Sequence, residues 1–276
     1  MPLNFGLGGK TYPSVTRTIT ADEIAAYAAA SGDDNPRHRP GPDQVASPLF
    51  AVVPGLPLVA TVGLDPELGV ENPLMIVHGE EEVVHHRPIR PGDGLTFTPT
   101  LLSVEDKGRG ATFVVRVSAH DPDGAPVNDQ YATVFVRGGG SGTDRPKADP
   151  PADPVKGAAV AEFTSHVAPE MPARYAEASG DHNPIHLDDA VAKMVGLPGI
   201  INHGLGTLSL VAAGLVRDLA AGDPERLTRI GARFTEVVLP GSSLSTTVWE
   251  GAEGHLFETV RPDGAAVMTG WLQVAD

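Results

Sequence analysis

One twelve-residue segment of this chain is written twice. Tyr27 to His38 reads YAAASGDDNPRH, and Tyr175 to His186 reads YAEASGDHNPIH. Tyr27, Ser31, Gly32, Asp33, Asn35, Pro36 and His38 return at one constant offset as Tyr175, Ser179, Gly180, Asp181, Asn183, Pro184 and His186. A repeat of this kind marks two copies of one structural unit. The correspondence continues. Pro91-Gly92 and Pro240-Gly241 each precede a strand-like run, and Asp123-Gly124 and Asp263-Gly264 are hairpin signals between alternating apolar runs. Between the copies, Gly138–Pro154 (GGGSGTDRPKADPPADP) is rich in glycine, proline and charge, which reads as a linker. The expected division is an N-terminal unit over 1–140, a linker over 141–156 and a C-terminal unit over 157–276.

The second copy carries the clearer pattern. A helix is expected over Pro169–Ser179, stopped by Gly180, and a short one over Asp189–Val195, capped by Asp188. Gly204–Ala221 is apolar nearly all round, as a fully buried helix should be. Strand-like runs follow at Thr228–Val238, Ser243–Glu250, His255–Arg261 and Ala265–Val274. A long buried helix followed by an antiparallel meander predicts an α+β unit in which the sheet curls round the helix. The first copy has only Val53–Leu64 in the helix position, shorter and broken by proline, so the halves are not expected to be equal in function.

Composition removes several classes. There is no cysteine, so disulfides and thiolate chemistry are out. No basic region followed by an apolar run opens the chain, and Leu205–Val216 falls short of the ~20 residues that a membrane helix needs. A cytoplasmic protein that engages no membrane is expected. The net charge of −15 argues against a nucleic-acid partner, since phosphate neutralisation needs clustered Lys and Arg. A few local arginines would still serve a phosphorylated small molecule.

Asp181 and His186 are the candidate acid–base pair. Pro184 between them keeps the segment out of a helix, so a loop can turn both side chains to one point. A carboxylate and an imidazole that converge there can hold and deprotonate water. Asn183 can fix the turn. His203-Gly204 opens the buried helix, whose first N–H groups lack intrahelical acceptors and suit a carbonyl oxygen that gains negative charge. No metal is expected. Pro184 breaks the helical spacing of His182 and His186, and no HExxH pattern is present. Ser179 and Ser209 lack a nucleophile elbow. Ser179 reads first as a helix-end residue, and His78, His85 and His86 as surface or cleft lining.

These residues carry a resemblance. Tyr175–Gly204 (YAEASGDHNPIHLDDAVAKMVGLPGIINHG) resembles the hydratase motif of MaoC-like dehydratases and (R)-specific enoyl-CoA hydratases, and Ala232–Gly241 (ARFTEVVLPG) continues the likeness. The two-copy chain, with Leu74–Asp93 in its first half, is similar to the double-hotdog, hydratase 2-like members. The resemblance implies a tandem hotdog, with a long central helix wrapped by an antiparallel sheet in each half. It implies reversible hydration of a trans-2-enoyl-CoA to an (R)-3-hydroxyacyl-CoA, a hydro-lyase reaction that needs no cofactor. Asp181 and His186 would activate water and deliver the proton, Asn183 would support them, and the Gly204 N–H would hold the thioester oxygen. His203, Arg233, Ser179 and Arg87 are the expected substrate contacts, with Arg229 and Arg90 as further phosphate candidates. An acyl-CoA or acyl-carrier thioester is the expected partner, and a homodimer is open. The alternatives are a dehydratase for carrier-bound or specialised acyl chains, a thioesterase, and a non-catalytic acyl-thioester-binding subunit. The first copy keeps Asp33, Asn35 and His38, but at the repeat offset Gly55-Leu56 answers His203-Gly204. A degenerate copy that shapes the acyl pocket is therefore expected, against the alternative of a second active site.

Overall fold

The computed structural model describes residues 1–143 and 155–275. Its first half holds β1 (Val15–Thr18), α1 (Ala21–Ala30), α2 (Val52–Gly63), β2 (Ile76–His85), β3 (Gly94–Asp106), β4 (Gly110–His120) and β5 (Pro126–Arg137). The second holds β6 (Ala159–His166), α3 (Met171–Ser179), α4 (Asp189–Met194), α5 (Gly204–Leu219), β7 (Leu227–Phe234), β8 (Ser243–Gly251), β9 (Gly254–Val260) and β10 (Ala266–Val274). All ten strands lie in one sheet, in the order β1-β3-β4-β5-β2-β7-β10-β9-β8-β6. Read outwards from the centre, each half has the same strand order. The halves meet where β2 pairs antiparallel with β7, Glu82 opposite Gly231. This is a tandem hotdog.

Alternation explains which face of the sheet is covered. On β4, Ala111, Phe113, Val115, Val117 and Ala119 are buried, and on β3 Leu95, Phe97 and Leu101. Residues two apart share a face of a strand, so these rows point at the helices. Burial of each Phe, Leu or Val contributes about 1.5–3 kcal/mol. The helices differ as their sequences predict. α5 has sixteen residues and is buried along most of its length, whereas α2 has twelve, with Pro57 inside it.

Two features depart from the sequence pattern. The strands β1 and β6, which open each half, escape pattern reading because they are mostly exposed. Such edge strands are held by backbone pairing and carry no apolar alternation. The run Gly138–Gly142 does not hang free as a linker. Gly139 and Gly140 are buried, the Leu3 N–H donates to the Gly139 carbonyl at 2.9 Å, and the Gly142 N–H donates to the Gly108 carbonyl at 3.0 Å. A Cβ on Gly140 would stand 2.1 Å from the Gly108 oxygen, so only glycine fits there. The rest of the expected linker, 144–154, lies outside the described residues. No helix among the described residues is long and apolar enough to cross a membrane.

Candidate active site

The second-copy loop is built by hydrogen bonds between near neighbours. α3 ends at Gly180, whose φ of 79° is left-handed and turns the chain back. The Ser179 hydroxyl donates to the Tyr175 carbonyl at 2.7 Å and accepts from the Asp181 N–H at 3.2 Å. The Asp181 carboxylate accepts from the Asn183 N–H at 3.2 Å, and the Asn183 side chain accepts from the Ile185 N–H at 3.3 Å. A 3-10 turn over Pro184–His186 follows, with proline at its start, where no N–H is needed. Each polar residue of the motif thus holds the next, and Asp181 and His186 are brought to one side.

His186 is buried, and its Nδ1 lies 2.9 Å from the Ile201 carbonyl. A carbonyl only accepts, so Nδ1 carries the proton and Nε2 presents a lone pair. His203 stacks on this ring at 3.7 Å, and Tyr175 lies against His203 at 4.9 Å. His203 Nε2 donates to the Asp181 backbone carbonyl at 3.0 Å and lies 3.9 Å from its carboxylate. Burial lowers the pKa of His186, opposed by the Ile201 carbonyl and by Asp181. Burial, and then the neighbouring His186, pushes His203 down to about 4. Both rings are therefore neutral near pH 7, and His186 is poised as a base.

Asp181, His186 and His203 place donor atoms within 4.8 Å of one another. Their geometry does not suit a metal ion. The two imidazole planes are stacked, 29° apart, so their in-plane lone pairs run side by side rather than converge. His203 Nε2 is also taken up by the Asp181 carbonyl.

Gly204 is the first residue of α5, and a Cβ there would lie 3.3 Å from the Phe234 ring. Its N–H has no acceptor within the helix. Asp181, His186 and His203, the residue that precedes α5, thus lie side by side. Asn183 is exposed, its side-chain oxygen spent on the turn. Ser179 is buried with its hydroxyl bound to the helix end, which makes it a support of the loop. Arg233 is about half-exposed, next to Phe234, and pairs with Glu80 at 3.0 Å. Arg229 pairs with Glu82 at 2.9 Å. Arg87 lies on the other half, held by Asp93 at 2.7 Å, and Arg90 pairs with Glu225 at 2.8 Å. Phe234, which faces Gly204, went unread in the sequence, although it stands in the quoted ARF run.

The first copy repeats the turn but not the donor. His38 Nδ1 meets the Val45 carbonyl at 2.8 Å, as His186 meets Ile201. The Ala46 N–H donates to the Ile89 carbonyl at 2.9 Å, as the Asn202 N–H donates to Val238 at 2.7 Å. The residues that follow are therefore equivalent, and Ser47-Pro48 answers His203-Gly204. This corrects the expected Gly55-Leu56. The reason is length. Fifteen residues separate His186 from Ile201, whereas seven separate His38 from Val45, so the constant offset ends at the histidine. Proline has no N–H, so Pro48 leaves the first copy without the backbone donor. Its loop is also tied down. Asn35 Nδ2 donates to the Gly222 carbonyl at 2.8 Å, and Arg37 pairs with Asp223 and Glu225. Two cavities adjoin the first copy: a groove of about 660 Å³ runs along Gly32–Arg37, and one of about 100 Å³ lies beside Ser47, Pro48 and His85.

The family described as MaoC like domain matches residues 151–269, and the FAS1-like, dehydratase domain region matches residues 7–130. The 3-hydroxyacyl-thioester dehydratase Y of Mycobacterium tuberculosis is 32% identical over 82% of this chain and 79% of its own length. The chain belongs to the MaoC-like dehydratase family. Within this family it is also similar to a probable enoyl-CoA hydratase 2 of Dictyostelium discoideum, 31% identical over 84% of this chain and 82% of that one. The crystal structure of a MaoC-like dehydratase from Phytophthora capsici superposes with a TM-score of 0.82 at 26% identity, covering 100% of this chain and 99% of the other.

Proposed function

We propose that this MaoC-like protein hydrates trans-2-enoyl-CoA reversibly to (R)-3-hydroxyacyl-CoA at the second-copy site. The observation that supports the reading is that Asp181, His186 and His203 place polar side-chain atoms within 4.8 Å of one another, with His203 directly before Gly204 at the head of α5. The thioester oxygen accepts from the Gly204 N–H. Water sits between Asp181 and His186. As His186 draws a proton from it, the water oxygen bonds to C3, and the C2=C3 electron pair moves onto the thioester oxygen through C2. The pair then returns a proton to C2, which restores the thioester. His203 stacks on His186 and holds its plane. Phe234 packs over Gly204 and marks the start of the acyl path towards the first half. That half, with its shorter α2 and no donor at Pro48, is assigned the shaping of the acyl pocket. The names of the dehydratase and hydratase relatives support this reading, because the two reactions are one equilibrium.

The test is loss of the conjugated absorbance of crotonyl-CoA, with the product enantiomer resolved by chiral chromatography. Asp181→Asn and His186→Ala should each lower kcat by about 10²–10⁴. Full activity in either variant would refute the assignment. Release of free thiol instead of loss of the double bond would point to a thioesterase.

A further inference from the structure

Glu81 is fully buried in the middle of β2, the strand that joins the halves, with Ala132 and Ala232 opposite it on the flanking strands. One carboxylate oxygen meets His78 Nε2 at 2.9 Å. The other has no hydrogen-bond partner among the described residues. Gln130 on β5 is 1% exposed, and neither its Oε1 nor its Nε2 has such a partner. The Gln130 side chain reaches over α2, where a Cβ on Gly55 would stand 1.8 Å from Oε1. Burial pushes the Glu81 pKa up, opposed by hydrogen bonding to His78 and, less strongly, by the Gln130 side-chain amide turned towards it.

Unpaired polar atoms in a protein interior are costly and rare, and two side chains with such atoms in one region need a reason. Their position supplies it. The His78 ring meets the Phe234 ring edge-on at 5.6 Å, and Phe234 covers Gly204. The polar cluster therefore begins one aromatic ring beyond the thioester donor, on the first-half side. His78 is a quarter exposed, so the cluster is not sealed from outside.

We infer that His78, Glu81 and Gln130 form an end pocket for the acyl group, and that they select enoyl thioesters whose tail carries a hydroxyl or keto oxygen. The inference rests on the proposed hydration and deepens it. A hydroxyl would donate to the open Glu81 oxygen or to Gln130 Oε1, and either oxygenated tail would accept from Gln130 Nε2. A plain alkyl tail would leave these groups dry, with only one another to pair with, which is how a buried polar site rejects an analogue that lacks the matching group.

The test compares kcat/KM for trans-2-enoyl-CoAs of increasing chain length, each with a plain alkyl tail and with a terminal hydroxyl. The wild type should prefer the hydroxylated member by about tenfold or more at the length that reaches the pocket. Glu81→Leu and Gln130→Leu should each abolish or reverse this preference, and Glu81→Gln, which still hydrogen-bonds, should keep it. Melting temperatures check that each variant is folded, and the two positions are independent probes. Preference for the plain tail at every length, or a preference that survives both leucine variants, overturns the inference. If the wild type hydrates no enoyl-CoA, the hydration reading fails separately. Calorimetric binding of saturated ω-hydroxyacyl-CoA against plain acyl-CoA then tests the pocket, and equal affinity overturns it.

Discussion

Gly204→Pro isolates the backbone donor of the second copy. The substitution removes one N–H and makes the site resemble its counterpart at Pro48. The local backbone accepts it. Proline is favoured at the first position of a helix, and the preceding His203 has φ −60° and ψ 136°, the extended geometry that a following proline requires. The added ring atoms meet Phe234, since a Cβ at this position lies 3.3 Å from its ring. Gly204→Ala controls for that contact, because it adds the Cβ and keeps the N–H. Loss of one oxyanion donor costs about 10²–10³ in kcat, or ~2.7–4 kcal/mol. The expected result is a drop of that size in crotonyl-CoA hydration for Gly204→Pro, with the melting temperature preserved. Gly204→Ala should lose much less. Equal losses in the two variants would mean that contact with Phe234, and not the N–H, sets the rate. An active Gly204→Pro would remove the donor from the mechanism.

Three further outcomes follow from the same geometry. Asp33→Asn combined with His38→Ala should lower the melting temperature, because both side chains are buried and their contact of 3.0 Å is lost, yet kcat of folded protein should be unchanged; loss of activity in parallel with an unaltered melting curve would assign chemistry to the first copy. The acid limb of kcat/KM should show a pKa below the ordinary histidine value of 6.5, since burial favours the neutral base His186; a limb above that value contradicts the assignment. Glu81 should make stability fall as pH rises. Its folded pKa lies above the ordinary 4.5, so folded protein holds a proton that unfolded protein releases, and Glu81→Gln should gain melting temperature over wild type from about that pH upwards; parallel melting curves across the range would refute a buried, raised acid.

Much of the site was legible in the sequence because it is built locally. The bonds from Ser179 to Tyr175, Asp181 to Asn183 and Asn183 to Ile185 span two to four residues, and such contacts follow from residue type and spacing. The buried character of α5 and the hairpins at Gly124 and Gly264 were legible for the same reason. The twofold writing of the chain determined that two like units must pack together. The strand order, the meeting of the halves at β2 and β7, and the equivalence of Pro48 with Gly204 were decided by the tertiary structure. Sequence offsets fail as soon as one copy carries extra residues, as between His186 and Ile201, whereas hydrogen bonds to Ile89 and Val238 do not. The cluster of His78, Glu81 and Gln130 is of the same kind. The burial of Glu81 and Gln130 and their open polar atoms arise only when strands distant in the chain lie side by side, because desolvation depends on what surrounds a group in space and not on its neighbours in sequence.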